Sequence, residues 1–245
     1  MNPAIITEGP TDYTFIQYYM RKVCGWNDYQ ESSLRKADKQ IKARELKKND
    51  DVLTIVSSGG CTRIAERLDL LLKKNSTSST QTEAFSKIVI ISDNDDELAG
   101  GKIETAIESV IQKYSTEDSI KLENRKWHTF KMQNSISEEL NVEILLLLIP
   151  FDEHGAIETF LLDAIAEKDD YDKQIIKSGN DFVETVDSQE RYLKHRRDKV
   201  KAKMDVYFSI RASSEQFSER QNILKNIEWE KYEKIQTCFS ELTKL

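Results

Sequence analysis

Three short apolar runs constrain this chain more than any other feature, because each stops at a polar turn. Ala4–Ile6 runs into Thr7-Glu8-Gly9-Pro10, Val52–Val56 into Ser57-Ser58-Gly59-Gly60, and Lys87–Ile91 into Ser92-Asp93-Asn94-Asp95-Asp96. Runs of this length, bounded by turn residues, read as buried strands. Helical spacing follows each of them. Phe15, Ile16, Tyr19 and Val23 share one face after the first run, on a helix that starts at Asp12 with Thr11 as its expected cap. Ile64, Leu68, Leu71 and Leu72 share a face after the second. Ile103, Ile107, Val110 and Ile111 do so after the third, behind Gly100-Gly101. Trp127–Met132 and Val142–Ile149 are two further strand candidates, and the chain beyond Pro150 reads as helical. Strands alternating with helices predict an α/β fold, a mainly parallel sheet flanked by helices. The expected division is an α/β domain over 1–150 and a helical C-terminal extension over 151–245 packed on it. Two intervening stretches look irregular: Arg35–Lys48 reads as an exposed charged helix, and Asn75–Thr82 as a polar loop.

Composition narrows the class. A chain of 245 residues can bury a sizeable core without disulfides or structural metal. With 8 Gly and 3 Pro, few residues interrupt regular elements. The longest apolar run, Ile144–Pro150, is too short to span a bilayer. The start, Met-Asn-Pro-Ala-Ile-Ile-Thr-Glu, has neither the basic segment nor the apolar stretch of a signal peptide. Cys24, Cys61 and Cys238 are odd in number and far apart, which fits a reducing, cytoplasmic setting better than a disulfide framework. Cys61 lies at an expected helix start, and a small packing role is its simplest use.

The net charge of -7 argues against a bulk nucleic-acid binder, yet the basic residues are unevenly placed. Arg191–Lys203 holds seven of them against the single Asp198. On a helix that density suits a phosphate backbone, with Arg196, Arg197, Lys199 and Lys201 as the candidate contacts. The plainer meaning of such a run is a solvated face. The seven basic residues of Arg35–Lys48 are diluted by Asp38 and Glu45. His154 is the histidine of interest, four residues before Glu158.

The acidic residues are more specific. In open α/β sheets ligands bind outside the carboxyl ends of the strands. Glu8 follows the first strand there, the Gly59-Gly60 turn follows the second, and Asp93 and Asp95 follow the third. In an extended Asp-x-Asp both side chains point the same way. Carboxylates converging in one place cannot all stay ionised without a counter-charge, and the hard ions Mg²⁺ or Mn²⁺ supply one. Each acidic residue alone would pass for a turn residue; their joint placement points to a metal site.

Ile5-Ile6-Thr7-Glu8-Gly9-Pro10-Thr11-Asp12, followed by Ile88-Val89-Ile90-Ile91-Ser92-Asp93-Asn94-Asp95, resembles a Toprim domain over about residues 3–135. That family places a Glu after its first strand, glycines after the second and Asp-x-Asp after the third. The likeness is greater to the nuclease branch, which includes the overcoming-lysogenization-defect (OLD) nucleases and stand-alone Toprim proteins. That branch adds an acidic residue four positions after the first Glu, here Asp12, and a Ser before Asp-x-Asp, here Ser92. It adds a later Glu, best matched by Glu158, and a late Lys, for which Lys203 and Lys201 are the candidates. The resemblance implies Mg²⁺- or Mn²⁺-dependent hydrolysis of DNA or RNA phosphodiester bonds, in phage defence. Glu8, Asp12, Asp93, Asp95 and Glu158 would be the metal ligands. Glu8, Asp93, Asp95 and Lys203 would be the catalytic set. No Walker A pattern occurs, so any ATPase that controls the nuclease would be a separate partner. The resemblance leaves room for a homo-oligomer and for a catalytically inactive Toprim-like binding or regulatory module. A receiver-like phosphoacceptor domain ranks lower, since one Glu and a Gly-Pro turn follow the first strand where a receiver carries an acidic pair. A Ser-His-Asp or Cys-His site has no nucleophile-elbow motif behind it.

Overall fold

A computed structural model describes residues 2–94, 97–117, 119–213 and 220–245. Its centre is a seven-stranded mixed sheet in the order β2-β3-β4-β1-β5-β7-β6. The strands are β1 (Pro3–Thr7), β2 (Asn27–Glu31), β3 (Lys42–Lys48), β4 (Asp51–Ser57), β5 (Lys87–Asp93), β6 (Trp127–Gln133) and β7 (Glu139–Ile149). β4, β1, β5 and β7 run parallel, with Ile5 opposite Ile55 and Val89, and Val89 opposite Leu145. β2, β3 and β6 are antiparallel additions at the two edges. All four parallel strands therefore end on one side of the sheet.

The central strands are apolar throughout because both faces are covered. Alternate residues serve opposite cores. Ala4, Ile6, Ile88, Ile90, Ile144 and Leu146 pack against α3 (Ile64–Thr77) and α4 (Glu97–Tyr114). Ile5, Val89, Ile91, Leu145 and Leu147 pack on the other face. There they meet α1 (Pro10–Lys22), α5 (Ile157–Lys168), α7 (Arg196–Arg211) and α9 (Glu233–Cys238). Full burial of one such side chain stabilises the fold by about 1.5–3 kcal/mol. Residues after 150 share this core directly: Phe15 meets Trp229 edge-on at 5.2 Å and Phe239 at 5.3 Å between ring centroids. Lys22 Nζ also donates to the carbonyls of Lys225 and Ile227 near α8 (Arg220–Lys225). Among the described residues no helix is long and apolar enough to cross a membrane.

Several local expectations are corrected. Arg35–Lys48 is not one exposed helix. A single-turn α2 (Ser33–Ala37) is followed by β3. Ala43 and Leu46 turn inward there while Lys42 and Arg44 face solvent. The β3–β4 connection is the two-residue Asn49-Asp50, with Asn49 at φ 54, the left-handed geometry of a tight hairpin. β2 is an additional strand that the sequence pattern does not announce, because all five of its residues are exposed and leave no apolar signature. Part of Asn75–Thr82 belongs to α3, and Asn75 is buried with its side-chain amide bonded to both N and O of Phe85. Gly100-Gly101 lie within α4 rather than before it. Cys61 is exposed, in a 3-10 turn, so it does not pack.

Candidate acidic site at the carboxyl ends of the parallel strands

The ends of β1, β5 and β7 meet at one place, and backbone hydrogen bonds fix how. Glu8 N donates to Ile91 O at 3.1 Å, holding the end of β1 to β5. The Gly59-Gly60 turn after β4 wraps the other side, where Gly59 N and Gly60 N donate to Glu8 O at 3.0 and 2.9 Å. Both glycines have positive φ, 78° and 134°, which side chains rarely adopt. Asn94 N donates to Ile149 O at 2.8 Å, joining the end of β5 to that of β7.

This framework gathers four carboxylates from three separate stretches of sequence. Glu8 Oε2 accepts from Ser92 Oγ at 2.6 Å and from Asp93 N at 3.1 Å. Asp93 Oδ1 accepts from Ile157 N at 2.9 Å, the first residue of α5. Asp12 Oδ2 accepts from Gly9 N at 2.8 Å, capping α1 from its first turn. Glu158 Oε1 accepts from Thr11 Oγ1 at 3.0 Å and is 5% exposed. Thr11 is therefore not the cap expected of it. Gly9 holds that position, and α1 begins at Pro10, where a missing N–H costs nothing. Thr11 instead orients Glu158 across 147 residues of sequence.

The electrostatics show how tightly the group is drawn together. Burial first, and then the charges of Asp12, Glu8 and Glu158, together raise the Asp93 carboxyl to about 9 against the Ile157 hydrogen bond. Burial likewise raises Asp12 to about 7, opposed by the Gly9 hydrogen bond and aided by Glu158 and Glu8. The charged neighbours that act most on these two groups are all carboxylates. Every donor atom is a carboxylate oxygen, the chemistry a hard dication prefers. As they stand, however, these side chains are engaged by hydroxyls and backbone N–H groups. Among the described residues no three His, Cys, Asp or Glu side chains form a group that could hold a metal ion. Asp95 lies outside the described residues.

Lys203 and the basic run occupy a neighbouring cavity of about 440 Å³. Arg196, Lys199 and Lys203 project from one face of α7 into it, while Arg197 and Lys201 are exposed outside it. Lys203 Nζ lies 2.6 Å from Glu184 Oε1 on α6 (Asp170–Val186). The structure therefore divides the four expected nucleic-acid contacts into two inside a cavity and two on an open surface. His154 lines the same cavity. Sequence reasoning missed Glu184, gave Thr11 the role of a cap, and counted Lys194 in the basic run without making it a candidate contact. The spacing of polar residues gives no sign of contacts that depend on how α1, α5, α6 and α7 pack.

The fold and site define an α/β protein with an acidic cluster where its parallel strands end. The chain belongs to the family described as a protein of unknown function (DUF3226), whose model matches residues 2–243. It is similar in fold to a hypothetical protein of Pyrococcus horikoshii OT3. The two are 15% identical, with 98% of this chain and 99% of that one covered, at a TM-score of 0.50. A lactoylglutathione lyase from Agrobacterium tumefaciens is 9% identical over 59% of this chain and 91% of its own, at a TM-score of 0.17, too low to carry an argument. The comparison with curated proteins finds no match.

Proposed function

We propose that this protein is a Toprim-like, divalent-metal-dependent nuclease that hydrolyses phosphodiester bonds of DNA or RNA. The observation that carries the reading is the convergence of Glu8, Asp12, Asp93 and Glu158 at the carboxyl ends of parallel strands. Burial at the cost of raised carboxyl pKa values is common where a site has a chemical task. Glu8, Asp12, Asp93 and Glu158 would hold Mg²⁺ or Mn²⁺, with Asp95 of the same motif. When bound, such ions activate water and neutralise charge on the leaving oxygen. The chain's own part is positional. Ser92 and the Asp93 N–H aim Glu8, the Ile157 N–H aims Asp93, and Thr11 aims Glu158. Lys203, which lines the adjoining cavity, would neutralise substrate phosphate. The resemblance to OLD nucleases adds a role in phage defence and control by a separate ATPase.

The hydrogen bonds that engage all four carboxylates favour one alternative, a catalytically inactive Toprim-like binding or regulatory module. Turnover separates the two. The purified chain is incubated with labelled single- and double-stranded DNA and RNA, with Mg²⁺, with Mn²⁺ and with chelator. Metal-dependent cleavage lost in Glu8→Gln supports the nuclease. Binding without cleavage across all panels supports the module.

The basic run makes its own prediction. Reversing Arg196, Arg197 and Lys199 to Glu weakens nucleic-acid binding at every salt concentration. For each phosphate that the variant no longer neutralises, the log–log salt slope flattens by roughly 0.7–0.9. An unchanged slope in a salt titration would return the run to a solvated helix face.

A further inference from the structure

The cavity beside the acidic site gathers more charged groups than the single Lys203 that the nuclease reading uses. Among the described residues four cations line it, Lys194, Arg196, Lys199 and Lys203, with Glu184 as the one carboxylate. Glu184 is half exposed, at 49%, yet it reaches Lys203 at 2.6 Å and Lys199 at 3.9 Å. Lys199 also contacts Glu190 at 3.3 Å, from outside the cavity. Lys194 has no ion-pair partner among the described residues. Among the described residues, Glu184 is thus the carboxylate inside the cavity that faces Lys199 and Lys203.

Its size and position restrict what could replace that anion. A volume of about 440 Å³ falls at the lower end of small-ligand pockets, on the scale of one nucleotide and far below a duplex. The wall includes Gly155, whose N donates to Asn94 O at 2.8 Å, next to Asp93. It also includes Thr159, next to Glu158. A group held here therefore touches the residue next to Glu158 on one side and the hydrogen-bond partner of Asn94, the neighbour of Asp93, on the other.

We propose that this cavity is a phosphate-ester pocket of mononucleotide size, and that Glu184 is its internal counter-ion, displaced when a phosphate enters. The proposal deepens the nuclease reading and rests on it for the identity of the ester, a nucleotide unit of a strand. The physics is competition. A phosphate presents more charge and more acceptor oxygens than a carboxylate to the same lysines. Glu184 holds Lys203 and Lys199 in place while the cavity is empty and must give them up on binding. Its removal therefore raises affinity, whereas removal of a lysine lowers it.

The test is calorimetry on the full chain without added metal, comparing wild type, Glu184→Gln and Lys203→Gln. The probes are inorganic phosphate, a nucleoside 5′-monophosphate, and one six-nucleotide oligomer with and without a 5′-phosphate. Glu184→Gln is expected to bind the monophosphate about three- to tenfold more tightly, the effect of one partly exposed charge. Lys203→Gln is expected to bind it more weakly by a similar factor. A preference for the 5′-phosphorylated oligomer identifies a strand end as the source of the phosphate, and equal binding identifies an internal one. If Glu184→Gln binds no more tightly than wild type, or if no probe binds any variant, the proposal is overturned. Circular dichroism and thermal melting confirm that both variants fold. Probe binding without cleavage in the metal panel would leave the pocket standing and retire the nuclease. Cleavage with no effect of Glu184→Gln would do the reverse.

Discussion

Asp93→Asn should make the metal-free protein more stable at pH 8 than the wild type, and should flatten its stability between pH 5 and 9. In the unfolded chain Asp93 and Asp12 ionise near their ordinary value of 3.8. In the folded protein burial and neighbouring carboxylates hold them up to about 9 and about 7. Between 3.8 and those values the folded state binds more protons, so its stability falls as pH rises. The loss from Asp12 is complete above about 7, and that from Asp93 continues to about 9. Asn keeps the oxygen that accepts from Ile157 N and removes the charge. The wild type must take up a proton at Asp93 to fold at pH 8 and Asn need not, so the expected gain there is on the order of 2 kcal/mol or more. Thermal melts at pH 5.5, 7 and 8.5 measure it, and a variant less stable than wild type at pH 8.5 would contradict the electrostatic account.

Other carboxylates act in the opposite direction and set the acid side of the profile. Asp69 is held low by its hydrogen bond from Lys113, and Asp187 by the N–H groups of Leu193, Tyr192 and Arg191. Their contributions are present above the ordinary carboxylate pKa and are lost as pH falls through their lowered values. Greatest stability without metal should therefore lie on the mildly acidic side of neutrality. Added Mn²⁺ should move it upward by mass action in the wild type and much less in Asp93→Asn. A like response of both proteins to Mn²⁺ would remove Asp93 from the ligand set.

Much of this site could be read from the sequence because strand ends in a parallel sheet share one side. Once Ala4–Ile6 and Lys87–Ile91 are neighbouring parallel strands, Glu8 and Asp93 must come together, and they do through Ser92. The same logic covers the helices whose apolar faces repeat regularly: Ile64, Leu68, Leu71 and Leu72 are all buried. It fails where burial is absent or shared. β2 has no buried residue to betray it, and β3 hides two inward apolar side chains among lysines and arginines. It fails again for contacts between distant helices. Thr11 looks like a cap by position, but Gly9 and Pro10 already start α1 upstream of it, so its hydroxyl is released to Glu158. Glu184 reads as one charge among many on α6 until α7 is packed against it. The basic run likewise looks uniform in sequence, and only the helix period separates Arg196, Lys199 and Lys203 from Arg197 and Lys201.

Glu158→Gln should abolish metal-dependent cleavage, by on the order of a hundredfold or more, while leaving the fold intact. Glu158 lies in the first turn of α5, where a carboxylate is favoured by the helix dipole whatever else it does. Position alone would make it an ordinary first-turn acid beside the inward-packing Ile157, Phe160 and Leu161. Its burial and surroundings argue otherwise. It is 5% exposed, accepts from Thr11 at 3.0 Å, and its charge raises both Asp12 and Asp93. A helix-capping acid gains nothing from being enclosed among other carboxylates, whereas a shared dication would offset their repulsion. Gln keeps the shape and an oxygen that can still accept from Thr11, so melting temperature should hold or rise as repulsion is relieved. Thr11→Val provides the graded control. It keeps the charge of Glu158 but removes the hydroxyl that aims it, and should reduce cleavage by about tenfold, the scale of one hydrogen bond to a charged group. Full cleavage by a folded Glu158→Gln protein would strike Glu158 from the metal site and leave Glu8, Asp12 and Asp93 to be judged on their own.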